Sequence, residues 1–397
     1  MRHLQACSPG ADPGAGNAGP GLDPPSGATM VVRASNPDAQ SPPAGVQPPA
    51  PAPKPPPSSP EYGIHAFLWW RPEDAERDML LVKEMGFRWI KQGVGWRDVE
   101  AAKGEYDWSR VDFIVDTMAR YGGLELLARI DHQPTWSRAD GCTSSGPPDD
   151  PQDLADFAGA MAGRYAGRIR AYEIWNEPNL AREWCGATPD PAAYAQLLGA
   201  AYGAIKAADP SALVISAGLA PTGTGPPAAV PDEEYLRRMY QAMGGTGAGY
   251  FDMLGLHAPG YAAPPETSPA EAVANTAYGG QRFFAFRHVE DMRAIQESFG
   301  DGDRRVAILE MGWSSDPVHP EYAWHRVTEA QKADYLVRAY QYAAANWRPW
   351  IGPMITIFMC NADWTQADEQ YWWCIDEPNG APRPAFEALR AMPKVTD

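Results

Sequence analysis

The sequence predicts an α/β fold: a closed (β/α)8, or TIM, barrel of parallel strands preceded by a proline-rich N-terminal segment. Three observations lead there. Short β-like runs alternate with amphipathic helical stretches eight times, and parallel neighbours need crossover helices between them. About 337 residues remain after the proline-rich start, enough for one large barrel. No G-x-G-x-x-G loop or P-loop follows any strand, which weighs against an open nucleotide-binding sheet.

Residues 1–60 hold 16 of the 41 prolines, with Gly, Ala and Ser filling most of the remainder. Such a stretch buries too little apolar surface to offset the entropy of ordering it, so it reads as a disordered tether before a catalytic-sized domain at 61–397. From there the strands are expected at 62–67, 87–93, 124–130, 169–174, 212–217, 251–256, 305–309 and 353–358. The intervening helices are expected at 73–85, 108–121, 151–165, 189–208, 233–243, 281–299 and 329–346, with a closing one at 383–391. Asp107 or Ser109 suits the cap of the second helix, and Asp209-Pro210 stops the fourth. Pro151 and Pro189 fit first-turn positions, where the missing N–H is not needed. The stretches 135–150, 179–188 and 257–280 read as long loops.

Charge narrows the partners. The three cations of the first 60 residues cancel its three aspartates, so the formal charge of −17 sits on the folded part. An acidic body without a basic run argues against nucleic acid or an anionic membrane. No apolar run approaches the roughly 18 residues of a membrane span. The 15 tryptophans, 17 tyrosines and 11 phenylalanines read mostly as core packing.

Cys142 and Cys185, and Cys360 and Cys374, form two close pairs along the chain without the spacing of a zinc site. They read either as two disulfides of an exported protein or as four reduced thiols. Leu4-Gln5-Ala6-Cys7 resembles a bacterial lipobox. Six residues are too few for the apolar leader such a signal needs, so a lipid anchor at Cys7 requires a start upstream of Met1. That reading gives an extracellular or cell-surface lipoprotein on a semi-rigid tether; the other is an ordinary disordered terminus.

In a barrel of this kind chemistry sits at the C-terminal ends of the strands. Two carboxylates lie there. The fourth strand runs into Asn176-Glu177-Pro178, and the seventh runs into Glu310-Met311-Gly312-Trp313. Strands four and seven stand on opposite sides of a narrow cylinder, so Glu177 and Glu310 can meet over its mouth. Paired carboxylates across a small gap are what glycoside hydrolysis requires. An acidic residue at a strand end is otherwise a helix cap or an ion-pair member, and that role is less obvious for Glu177 than for Glu310.

Ile174-Trp175-Asn176-Glu177-Pro178 resembles the signature that ends strand four in glycoside hydrolase clan A, and Ala307-Ile308-Leu309-Glu310-Met311-Gly312-Trp313 resembles its strand-seven nucleophile segment. Gly95-Trp96, Asp98-Val99-Glu100 and 104–108 are similar to the tract after strand two in family 39 and its relatives; 371–373 and 380–386 are similar to the closing segment. The resemblance covers 62–392 and is most like family 39. It implies a retaining O-glycosyl hydrolase of β-glycosidic bonds, with Glu310 as nucleophile, Glu177 as acid/base and Asn176 on the sugar 2-hydroxyl. β-Xylosidase, β-glucosidase, glucanase or xylanase-like action on oligo- or polysaccharides is expected, with no metal and no cofactor. His257 and Tyr261 are similar to the His/Tyr pair that flanks the nucleophile, although spaced more widely. Where many clan members carry an Arg late in strand two, this chain has Lys91 and Gln92. His132, Trp136 and Trp364 stand where the clan contacts sugar, Trp364 being the best stacking platform. Two other readings stay open: an endo-acting hydrolase or transglycosylase on a microbial exopolysaccharide, and a carbohydrate-binding barrel without turnover.

Overall fold

The computed structural model describes residues 59–395, so the expected tether and Cys7 lie outside the described residues. Eight strands close into one parallel barrel in sequence order. They are β1 Glu61–His65, β2 Trp89–Gly95, β3 Glu125–Asp131, β4 Ala171–Ile174, β5 Leu213–Ser216, β6 Met253–His257, β7 Arg305–Met311 and β8 Ile351–Thr356. The helices are α1 Pro72–Glu84, α2 Trp96–Val99, α3 Ser109–Tyr121, α4 Pro151–Arg164, α5 Pro191–Ala208, α6 Asp232–Ala242, α7 Pro269–Ala274, α8 His288–Ser298, α9 Glu329–Asn346 and α10 Pro384–Ala391.

Strand residues alternate between two apolar environments, as buried parallel strands must. One face of each strand packs outward on the helices, where Ile64, Ile90, Ala128, Tyr172 and Val214 join the main core. The other face fills the barrel. Trp89, Leu127, Ala171, Ile215, Met253, Ala307, Leu309 and Ile355 form a separate interior layer. Strand β1 supplies Gly63 at this level, because a Cβ there would lie 2.5 Å from Ile355 and 2.7 Å from Trp89. Below the layer, the Trp89 indole donates to Glu61 at 2.7 Å and Arg305 pairs with Glu61 at 3.4 Å, closing the floor.

Helix starts follow local chemistry. Asp150 accepts the Gln152 N–H ahead of α4, Asp190 accepts those of Ala192 and Ala193 ahead of α5, and Thr328 with Gln331 forms a capping box on α9. Several expected boundaries are corrected. Helix α5 begins at Pro191 rather than Pro189, because Asp190 takes the cap. Helix α3 begins at Ser109, and Asp107 accepts its N–H at 3.0 Å. The loop expected at 257–280 contains α7, which the Ser268–Glu271 capping box nucleates. The helix expected at 281–299 is confined to 288–298, with only a 3-10 turn at Arg282–Phe284 before it. Phe283 and Phe284 turn instead into an aromatic cluster with Tyr261, Tyr322 and Trp324.

Both cysteine pairs are bonded: Cys142 to Cys185 and Cys360 to Cys374, with Cα separations of 6.3 and 5.1 Å. The first ties the loop after β3 to the loop after β4; the second closes the loops after β8. Among the described residues no helix is long and apolar enough to cross a membrane.

Candidate active site

Glu310 reaches the barrel interior through an irregularity in β7. Leu309 belongs to the interior layer, so simple alternation would point Glu310 outward. Instead the register slips by one residue against both neighbours. Leu256 pairs with Ile308 but His257 with Glu310, and Met354 pairs with Ile308 while Thr356 pairs with Met311. One extra residue is thus accommodated, as in a β-bulge, and Leu309 and Glu310 both face inward.

Glu177 is placed by a contorted strand end. Trp175 and Glu177 both have positive φ, 74° and 38°, a conformation that persists in non-glycine residues only when the surroundings enforce it. Here they do. Trp175 N–H donates to Ile130 O at 2.8 Å and Glu177 N–H to Gly218 O at 3.1 Å. The Asn179 side chain is buried and donates to Ala220 O and Val230 O while accepting from Ala220 N–H.

The two carboxylates meet around His257, at the end of β6. One oxygen of Glu177, one of Glu310 and a ring nitrogen of His257 all lie within 4.8 Å of one another. His257 Nδ1 is 2.9 Å from Glu177 Oε1 and 3.7 Å from Glu310 Oε2. The carboxylate acceptor fixes the ring proton on Nδ1. Gly218 makes room for this ring, since a Cβ there would stand 2.0 Å from it.

Cations approach Glu310 from beneath. Lys91, with no exposed surface, pairs with Glu173 at 2.8 Å and donates to Leu309 O at 3.3 Å and Glu310 Oε1 at 3.4 Å. Arg129 Nη1 is 3.6 Å from Glu310, pairs through Nε with Asp131 at 2.7 Å, and donates to Asn176 Oδ1 at 3.4 Å. Burial alone would push the Glu310 carboxyl up. The charges of His257, Lys91 and His65 outweigh burial and the neighbouring Glu177, holding it below the usual carboxylate value. On the outer side, Arg182 is ion-paired with Glu177 Oε2.

The remaining expected residues divide. Asn176 sits beside Glu177, and Lys91 supports Glu310 from a buried position. His132 is half-buried and bonded through Nδ1 to Asp131 at 2.6 Å, whose charge raises its pKa. Trp364 packs edge-on against Phe67 and Phe358. Trp136 donates its indole N–H to Glu100 O and meets the Trp96 ring edge-on, partners of the helical layer. Tyr261 stacks with Trp324 and meets Phe284 and His325 edge-on. The sequence reading did not single out His65, Arg129, Asp131, Glu173 or Arg182. For the first four the signal was available: a charged or titratable residue two or four places from an inward residue of the same strand must itself face inward.

Glu177, His257 and Glu310 also form a donor set of the kind that holds a cation. Lys91 and Arg182 already face its two carboxylates, so a divalent ion would meet positive charge on both sides.

Neither a protein-family model nor a curated protein matches the chain by sequence. Solved structures do match it in three dimensions. A family 39 glycoside hydrolase from Bacteroides cellulosilyticus WH2 aligns with TM-score 0.61 at 19% identity, over 84% of this chain and 63% of its own. This chain therefore spans less than two thirds of that protein. A glucosidase from Croceicoccus marinus aligns with TM-score 0.58 at 14% identity, over 85% and 68%. Xylanase 10B from Thermotoga petrophila RKU-1, solved with xylobiose, aligns with TM-score 0.55 at 14% identity, over 84% and 94%. At these identities the likeness is one of fold.

Proposed function

We propose that this chain is a retaining glycoside hydrolase of the clan A type, cleaving β-glycosidic bonds of oligo- or polysaccharides by double displacement. The observation that carries the reading is the meeting of two buried carboxylates from opposite strands, β4 and β7, with oxygens within 4.8 Å. Retaining enzymes hold the pair roughly 5–5.5 Å apart, and inverting ones about 6.5–9.5 Å. The shared fold with a family 39 hydrolase, a glucosidase and a xylanase supports the same class.

Glu310 is the nucleophile. Its lowered pKa keeps it ionised, and Lys91 and Arg129 orient it from below. It attacks the anomeric carbon as the bond to the leaving oxygen breaks, and Glu177 gives that oxygen its proton. Glu177 then takes a proton from water, which attacks the glycosyl ester and frees Glu310. Asn176, held by Arg129, is placed for the hydroxyl beside the reacting carbon. The charge of Glu310 favours the protonated form of Glu177, and that influence ends once Glu310 is esterified. The two disulfides support an extracellular setting.

The test is a panel of aryl β-glycosides, read by released phenol before and after dialysis against EDTA. Hydrolysis that survives the chelator is expected. Glu177→Ala should lose about 10²–10⁴-fold on poor leaving groups and far less on activated aryl glycosides, with azide restoring turnover. Equal losses on both substrate types would remove Glu177 from the acid/base role. Binding of the glycosides without any turnover would leave a sugar-binding barrel.

A further inference from the structure

A general acid must hold a proton when the glycosidic oxygen departs; burial and the Glu310 carboxylate favour that form of Glu177, but two other neighbours favour its ionised form. Its Oε1 accepts from His257 Nδ1, and its Oε2 is ion-paired with Arg182. Glu177 is buried, whereas the Arg182 side chain is 45% exposed. Arg182 stands on a short turn, Ala181–Trp184, whose backbone is held on several sides. Ala181 N–H donates to Ala228 O at 2.9 Å and Cys185 N–H to Ser145 O at 2.7 Å. Cys185 is bonded to Cys142, and the Trp184 indole donates to Pro178 O at 2.5 Å. A fixed backbone carrying a long, half-exposed cation lets the guanidinium change partner without the loop moving. Glu183 Oε1, 3.3 Å from Arg182 Nε, anchors one edge of the fork.

We propose that Arg182 is the receptor for a carboxylate on the sugar at the leaving-group side of the cleaved bond, so that the substrate is a hexuronate-bearing glycan. The proposal rests on the retaining-hydrolase reading, because that reading puts the leaving group beside Glu177. The planar guanidinium fork matches a carboxylate through two parallel N–H···O bonds. A hexuronate seated there draws the guanidinium from Glu177. Glu177 then loses a cation and gains a nearby anion, and both changes favour its protonated form. The substrate thereby arms the acid that it needs, while a neutral sugar leaves the ion pair in place.

The same wall carries a second guanidinium. Arg97 donates to Thr143 O at 2.8 Å and forms no ion pair among the described residues. Thr143 adjoins Cys142, the disulfide partner of Cys185, and Arg97 N–H donates to His132 O at 2.9 Å. Arg182 is already matched by Glu177 and Glu183, so Arg97 is the cation of this wall left for an anionic chain to meet.

The experiment titrates the full chain with sodium D-glucuronate and D-galacturonate, and with D-glucose and D-galactose as their neutral counterparts. At least one hexuronate should bind about tenfold more tightly than its neutral counterpart. Arg182→Gln should abolish that preference, and Arg182→Lys, a charge without the fork, should keep only part of it. Melting temperatures of both variants report whether they fold. Carbon NMR of labelled glutamates, assigned with Glu177→Gln, should show the Glu177 pKa rising with hexuronate in the parent chain and not in Arg182→Gln. Equal affinity for acid and neutral sugars, or an undiminished preference in Arg182→Gln, overturns the proposal. Glucose 6-sulfate bound as tightly as a hexuronate overturns the carboxylate assignment in favour of anions at large. Arg182-dependent hexuronate binding with no turnover even of activated aryl glycosides, whose leaving groups need no acid, sinks the hydrolase reading alone; hydrolysis without a hexuronate preference sinks the Arg182 site alone.

Discussion

Glu310 shows how opposing effects on one side chain are decided by count and distance. Burial favours the neutral acid, and so does the neighbouring carboxylate of Glu177. Lys91, His257 and His65 favour the anion and prevail. A carboxyl held below its usual value of 4.5 stays ionised as the medium is acidified. The rate profile should therefore be bell-shaped, with its acid limb falling below about pH 4.5 and its alkaline limb set by loss of the Glu177 proton. Measuring kcat/KM across pH checks this. An acid limb centred above pH 5.5 would contradict the assignment of Glu310 as the group that must be ionised.

Among elements, β7 matters most, because its extra residue aims Glu310, the proposed nucleophile. Lys91 touches both halves of that feature, the Leu309 carbonyl and the Glu310 carboxylate, while Glu173 balances its charge. Lys91→Met alone leaves Glu173 buried and unpaired, a loss of about 3–5 kcal/mol. Replacing both, as Lys91→Met with Glu173→Leu, should recover most of that stability but not the aim of Glu310. We expect kcat of the double variant to fall about tenfold or more with KM little changed; parental kcat would show that Lys91 does not position the nucleophile. A second prediction concerns α6 and α8. His288 bridges them, with Nε2 2.8 Å from Asp232 and Nδ1 3.0 Å from Asp291. Burial lowers its pKa, but the two aspartates more than compensate and raise it to about 10. Because the folded value lies above the ordinary 6.5, this contribution is fully present below pH 6.5 and is lost as pH rises through 10. The stability gap between the parent and His288→Gln should be on the order of 2–4 kcal/mol at pH 6 and should shrink by pH 10. A gap independent of pH would mean that the imidazolium is not the stabilising species.

For the whole molecule, the disulfides restrain the loops that build the mouth. They span sequence separations of 43 and 14 residues, worth roughly 4 and 3 kcal/mol in chain-entropy terms. Reduction should lower the melting temperature by several degrees. If loosening the loop that bears Arg182 matters, activity should fall before the barrel unfolds. Thermal melts and initial rates with and without dithiothreitol measure both, and an unchanged melting temperature would show that the bonds carry no stability. Lys91, Arg129 and Arg182 are each paired with carboxylates of the site, whereas Arg97 has no ion pair among the described residues.

The barrel was legible from local pattern, because apolar runs of strand length alternating with capped helices admit few parallel arrangements. Glu177 and Glu310 were legible from their places at strand ends. His65, Arg129, Asp131 and Glu173 were implicit in strand alternation, yet their pairings needed the closed cylinder, which brings β1, β2, β3, β4 and β7 to one axis. Glu310 itself defies alternation, and only the register of β7 against β6 and β8 turns it inward. The shortened α8 escaped because Phe283 and Phe284 follow long-range aromatic packing rather than a helical period, and α7 because its six residues are too few to show one. The pairing of Arg182 with Glu177 arises in a loop whose path is set by a disulfide and by Asn179. Sequence alone determined which chemistry is proposed, since that depends on which residues end which strands; tertiary structure decided how each charge is balanced, since that depends on distances between segments far apart in the chain.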